Sequence, residues 1–100
     1  MRRGTTPINV FTTDVDLTDA SVIFLTYQQF GKTVIEIEKG DRLEVEEDQI
    51  SVRLTQSETL MLDPTAEVRV QIRAGFDDGS RIASNIMRLG VQDILKDGEI

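Results

Sequence analysis

The chain has 100 residues, a net charge of -7, and neither cysteine nor histidine. This length suits one domain with a single core, and the missing residue types exclude disulfides, thiolate metal sites and any catalytic triad that uses histidine. The acidic balance argues against nucleic-acid binding, which needs clustered lysines and arginines.

Alternation of apolar and polar side chains predicts about seven short strands in chain order. Their approximate ranges are 8–13, 21–29, 32–38, 41–47, 49–55, 66–74 and 82–91. Gly31 and Gly79 mark tight turns between strands, because glycine readily takes a positive φ. The alternation slips at Ser84 and Asn85, where we expect the last strand to change face.

The turn after the first strand contains Asp14, Asp16 and Asp19, which admits two interpretations. An EF-hand calcium loop needs glycine at its sixth position and glutamate at its twelfth, but here those places hold Asp19 and Leu25. We therefore expect a solvent-exposed turn anchored by the apolar Leu17, and keep the three aspartates as weak candidates for a metal site.

One segment, "TQSETLML" at residues 55–62, does not alternate. Thr55 precedes Glu58 by three residues, which is the spacing of a capping box. The pattern predicts a single helical turn that bridges two strands across the sandwich.

Short strands in this number, with one helical turn, favour an all-β fold, an immunoglobulin-like antiparallel β-sandwich. A small open β-barrel is the alternative. We expect one domain over residues 1–100, with mobile arms at 1–6 and 95–100. No apolar run approaches the roughly 20 residues of a membrane helix, and no apolar segment follows the basic start as it would in a signal peptide.

Charged side chains occupy the outward positions of several predicted strands. The acidic run from Glu36 to Asp48 is expected to form one acidic outer face on two adjacent strands. Arg53, Arg69 and Arg73 are expected to point outward from neighbouring strands, where they could pair with acids of the same sheet or with the acidic face of a second copy; we favour pairing within the chain. The candidate interaction residues are Arg2, Arg3, Arg53, Arg69, Arg73, Glu36, Glu38, Glu44 and Glu46.

Residues 15–38, "VDLTDASVIFLTYQQFGKTVIEIE", resemble a pattern common in bacteriophage tail proteins. In that pattern a turn, an alternating strand, a glycine turn and a Val-rich return strand follow one another, as in the immunoglobulin-like N-terminal domain of phage baseplate upper proteins. Asp19 stands where the pattern usually has glycine.

Nearly the whole chain also resembles small prophage-encoded proteins of Gram-positive bacteria. The segments that carry this resemblance are "MRRGTTP" at 1–7, "LTQSETL" at 54–60, "QIR" at 71–73, "DG" at 78–79, "ASNIMR" at 83–88 and "ILKDGEI" at 94–100. The resemblance implies a virion or tail-assembly component and assigns no catalytic residue.

These observations lead us to expect a non-enzymatic structural or assembly module of a phage or prophage tail or baseplate, without a cofactor. Its expected partners are other tail or baseplate proteins or a second copy, with neither nucleic acid nor membrane. We expect it in the bacterial cytoplasm during assembly and then in the virion. The alternative is a β-sandwich that binds carbohydrate on a host surface.

Overall fold

The computed structural model describes residues 1–100 and contains eight strands and one short helix. In chain order the elements are β1 (Ile8–Thr12), β2 (Val22–Gln29), β3 (Lys32–Glu38), β4 (Leu43–Glu46), β5 (Gln49–Arg53), α1 (Gln56–Leu60), β6 (Val68–Gly75), β7 (Arg81–Ala83) and β8 (Met87–Leu89). Every predicted strand is present, and the last one is divided in two.

The strands form two antiparallel sheets that pack face to face. One has three strands in the order β1-β5-β4; the other has the order β3-β2-β6-β7, with β8 also paired to β6. This order corresponds to the two sheets of an immunoglobulin-like sandwich without its first strand. The predicted β-sandwich is therefore confirmed: the two sheets pack together and do not close into a barrel.

The core lies between the sheets and consists of one cluster of 17 buried apolar residues. Both sheets contribute to it through the alternate positions of their strands, as the sequence pattern predicts. The rings of Phe11 on β1 and Tyr27 on β2 meet edge to face, with centroids 6.2 Å apart, and so join the two sheets. Leu17 is fully buried in the same cluster and anchors the turn between β1 and β2, as expected.

The helix α1 carries the chain from the three-stranded sheet to the five-stranded one. Its capping box is formed as predicted: the Thr55 hydroxyl accepts from the Glu58 backbone N–H, and the Glu58 carboxylate accepts from the Thr55 backbone N–H. The same carboxylate binds both terminal nitrogens of Arg42, at 2.9 and 2.6 Å. The helix start is thereby tied to the loop before β4.

The predicted final strand divides because its two halves pair with different parts of β6. β7 lies opposite residues 73–75 and β8 opposite residues 68–70. Between them the Ser84 hydroxyl accepts from the Ile72 N–H at 3.0 Å, so a side chain replaces the ladder bond there. The change of face expected near Ser84 is thus a break in the strand.

The chain is a flat body whose Cα atoms extend over 48 × 25 × 17 Å. Its N-terminal residues run beside the chain near Gln92, with Gln92 N–H donating to the Met1 carbonyl and Arg3 N–H donating to the Gln92 carbonyl. The mobility predicted for the two arms stays a prediction. No helix has the length and apolar composition to cross a membrane.

Candidate interaction surface

The turn with the three aspartates is organised by hydrogen bonds within the chain. The Asp16 carboxylate accepts from the Thr18 hydroxyl at 2.6 Å and from its backbone N–H at 2.9 Å. These bonds lower the pKa of Asp16 below its usual value. Asp14 and Asp19 are exposed, and no group of three or more His, Cys, Asp or Glu side chains is placed to hold a metal ion.

The same local bond recurs in two other loops. Asp63 accepts from the hydroxyl and N–H of Thr65, and Asp78 accepts from those of Ser80. In each case these bonds lower the pKa of the aspartate. A recurring Asp-x-Thr or Asp-x-Ser turn therefore accounts for Asp16 without a ligand, because this geometry serves to close loops.

The two N-terminal arginines bind the C-terminal segment. Arg3 donates to the Leu60 and Leu62 carbonyls and forms ion pairs with Asp93 and Asp97 at 2.9 and 3.4 Å. Arg2 donates to the Asp93 carbonyl at 2.6 Å. Both guanidinium groups are therefore engaged within the chain.

Three predictions about charge were wrong, because the sequence did not reveal which sheet each strand joins or which strands are neighbours in it. β3 and β4 belong to different sheets, so the acidic run is divided and forms no single face. Arg53 on β5 is likewise separated from Arg69 and Arg73 on β6. None of these arginines forms a salt bridge with an acid of the chain, contrary to the expected pairing within the chain.

The outer face of the five-stranded sheet is ordered in rows across its strands. In the first row Glu38 of β3, Phe24 of β2 and Arg73 of β6 stand side by side. The Cα atoms of the acid and the arginine are two strand spacings apart, roughly 10 Å, and the half-buried Phe24 lies between them. This row of acid, aromatic ring and base leaves both charges without a partner.

The next two rows continue the same order of charge. Glu36 is followed by Thr26 and Gln71, and the third row contains Gln28 and Arg69. The acids thus follow one side of β2, and the arginines follow the other.

Arg69 lies directly opposite Arg88 of β8. Both arginines are exposed, and like charges in directly opposed positions of an antiparallel pair repel each other. Arg88 and Phe24 belong to this surface although the sequence did not single them out. The alternation in "VIFLTYQQ" places Phe24 on the same face as Thr26, and this signal could have found it.

A shallow groove of about 190 Å³ runs over this face beside the arginines. It is lined by Thr26, Gln28, Arg69, Val70, Gln71, Arg73 and Ile86. The Gln71 side chain donates to the Ser84 carbonyl at 3.0 Å and so holds one wall in place. The groove is open and polar, which suits contact with another charged surface.

The outer face of the three-stranded sheet has a different order. Across its central row Val10, Ser51 and Glu44 stand side by side, and Thr12, Gln49 and Glu46 form the row beside it. Ile8 and Val10 are more than half exposed. This face therefore runs from an apolar edge on β1 to an acidic edge on β4.

Exposed aromatic side chains are rare on the molecule. Tyr27 is buried, its hydroxyl accepts from the Asn9 side chain at 2.7 Å, and burial raises its pKa to about 12. Phe30 is the exception: it is 69% exposed at the tip of the β2–β3 hairpin, with φ 53°. A bulky residue rarely takes a positive φ, so the hairpin holds this ring outward at a conformational cost.

Neither the protein-family models nor the curated proteins provide a relative of this chain. No protein-family model matches it, and no curated protein matches it either.

Proposed function

We propose that the protein is a non-enzymatic structural or assembly module of a phage or prophage tail or baseplate, acting through protein–protein contacts. The observation that carries this proposal is the outer face of the five-stranded sheet, where Glu36, Glu38, Arg69 and Arg73 are exposed without partners in the chain. Separate strips of opposite charge on a flat surface give orientation and selectivity to a protein contact.

The tail or baseplate assignment draws its support from the sequence resemblance. The turn at Asp16–Thr18, the strand that follows and the glycine turn at Gly31 are the elements of the resembling pattern. The proposal places the protein in the bacterial cytoplasm while tails assemble and in the virion afterwards, with other tail or baseplate proteins as its partners.

Co-expression tests this function. The tagged chain is produced together, one pair at a time, with each tail or baseplate protein encoded beside its gene, and each pair is purified through the tag. We expect at least one defined protein to co-purify in fixed stoichiometry and to be lost from the R69E/R73E variant. The E44R/E46R variant, changed on the other sheet, serves as the matched control and retains it. Failure of every pair, or flanking genes without tail proteins, contradicts the proposal.

A second candidate function, binding of carbohydrate on a host surface, is favoured by one observation. Phe30 presents an exposed aromatic ring at a hairpin tip, and sugar sites use such rings as platforms. A glycan array probed with the natural chain and with Phe30→Ala tests it. Glycan binding that is lost in the variant supports this candidate, and an array without signal eliminates it.

A further inference from the structure

The first row on the five-stranded sheet is self-complementary. Reading across the strands, it presents the acid Glu38, the ring of Phe24 and the base Arg73. A two-fold axis that lies along β2, in the plane of contact, exchanges the two sides of this row. Glu38 of one copy then faces Arg73 of the second copy, Phe24 faces Phe24, and the second charge pair is the equivalent of the first.

We propose that two copies of this chain dimerise face to face through the outer surfaces of their five-stranded sheets. The contact is isologous, because the same surface is used on both copies, and it closes at two copies instead of forming a filament. The inference rests on the proposed contact function and names a second copy of this chain as one partner.

The second row fits the same arrangement. The two-fold axis places Glu36 of one copy over Gln71 of the other, between Arg73 and Arg69 on the same strand. Thr26 meets its own equivalent beside the axis. An acid supplied in this position reduces the repulsion between Arg69 and the directly opposed Arg88.

The dimer gives Glu38 and Arg73 the partners that they lack within one chain. Within one chain Phe24 and a whole strand separate Glu38 from Arg73. Across the two-fold axis the same groups face each other directly, in a setting that contact shields from water, where charge pairs are stronger than at an exposed surface. Complementary rows also fix the orientation of the two copies.

The size of the contact predicts its strength. With the axis along β2, the strands of the two copies that overlap are β3, β2 and β6. Three strands at about 4.8 Å spacing and seven residues at about 3.4 Å give a face of roughly 14 by 24 Å. Such an area lies below the standard size of specific protein interfaces, in the range of weak contacts. We therefore expect a weak dimer whose population depends on concentration from the micromolar to the millimolar range.

Analytical ultracentrifugation over this range tests the proposal with four variants. E36R/E38R makes both sides of the face basic, and R69E/R73E makes both sides acidic. The fourfold exchange E36R/E38R/R69E/R73E restores complementarity with the polarity reversed. E44R/E46R makes the same charge change as the first variant on the outer face of the other sheet and is the control.

We expect each double variant of the five-stranded face to raise the dimer dissociation constant at least about tenfold. Their equimolar mixture should form a heterodimer, and the fourfold variant should dimerise like the natural chain. E44R/E46R should keep the dimer. Since E36R/E38R lowers the net negative charge and R69E/R73E raises it, loss of the dimer in both separates a local contact from overall repulsion.

Two results overturn the inference. One is a natural chain that stays monomeric up to about 1 mM. The other is a dimer that E44R/E46R disrupts and E36R/E38R leaves intact, which assigns the contact to the acidic edge of the three-stranded sheet.

Failure of this inference and failure of the proposed function give different results. A monomeric chain that still co-purifies with a tail protein removes the dimer and leaves the function. A chain that dimerises as described but binds no tail or baseplate protein removes the function and leaves the dimer.

Discussion

Both outer faces of the sandwich carry glutamates and arginines, but only the face of the five-stranded sheet arranges them so that a second copy can pair with them. On the five-stranded sheet the first row runs from Glu38 through Phe24 to Arg73, so a half-turn about β2 matches acid with base. On the three-stranded sheet the row runs from Val10 through Ser51 to Glu44, and the same half-turn places an apolar side chain against a carboxylate.

The difference shows that the register between strands decides whether the charges of a face can pair with those of a second copy. Both faces carry two exposed glutamates on an edge strand, and both carry arginine on another strand of the same sheet. Only where acid and base stand in one row, at equal distances from a central strand, does a two-fold axis pair them. Composition and alternation alone do not distinguish the two cases.

The largest expected effect comes from the core, on which both faces depend. Leu25 is fully buried on β2 between Ile37 and Ile72. We expect Leu25→Ala to lower the free energy of unfolding by about 3 kcal/mol, since a cavity replaces packed side chain. Urea denaturation measures this, with Val10→Ala as the exposed control at less than about 0.5 kcal/mol. Equal losses in the two variants would contradict the assignment of the core.

An alkaline titration separates the core from the faces in a second way. Burial raises the pKa of Tyr27 to about 12 from the ordinary value of 10.0, so the folded state holds this proton more tightly than the unfolded state. The protonated Tyr27 contributes about 2–3 kcal/mol to the free energy of unfolding. This contribution is complete below pH 10 and is lost as pH rises to 12. Stability measured against pH should fall over this interval, and less so in Tyr27→Phe. An equal fall in that variant would assign the alkaline loss to other groups.

Truncating one apolar side chain on each face compares the two faces directly. Phe24→Ala should weaken the dimer about tenfold, because a central aromatic anchor is removed from the contact. Val10→Ala, an apolar truncation on the other face, should change the dissociation constant less than about twofold. Sedimentation equilibrium gives both values, with the monomer's stability measured in dilute solution. Equal weakening of the dimer by Phe24→Ala and Val10→Ala would contradict a contact centred on Phe24.

The smallest expected effect lies between the sheets and should leave both faces unchanged. Thr55→Ala removes the N-cap of α1 and should lower stability by about 1 kcal/mol. Thr55→Ser keeps the hydroxyl and should restore most of the loss. The dissociation constant of the dimer should not change in either variant. A cap variant that abolished dimerisation would imply that the helix forms part of the contact.

Much of the fold could be predicted because its signals are local. Alternation located the strands, Gly31 and Gly79 located turns that take positive φ, and the spacing from Thr55 to Glu58 located the helix start. The burial of Leu17 could also be predicted, because an apolar residue among aspartates in a turn is stabilised by packing into the core.

The pairing of strands could not be predicted in the same way. β3 and β4 follow each other with only four residues between them, yet they join different sheets. Alternation indicates which side of a strand is buried, but it does not indicate which strand lies beside it in the sheet. Arg53 was therefore grouped with Arg69 and Arg73, and the row that joins Glu38 to Arg73 through Phe24 was not foreseen.

The flat shape of the chain gives the dimer a distinctive hydrodynamic behaviour. The shortest dimension, 17 Å, is that of two stacked sheets, whereas the longest is 48 Å. Joining two broad faces thickens the particle and leaves its length unchanged, so the dimer experiences less friction for its mass than the monomer and tumbles more evenly in all directions. Two copies joined end to end would instead form a rod, with more friction for its mass and less even tumbling than the monomer.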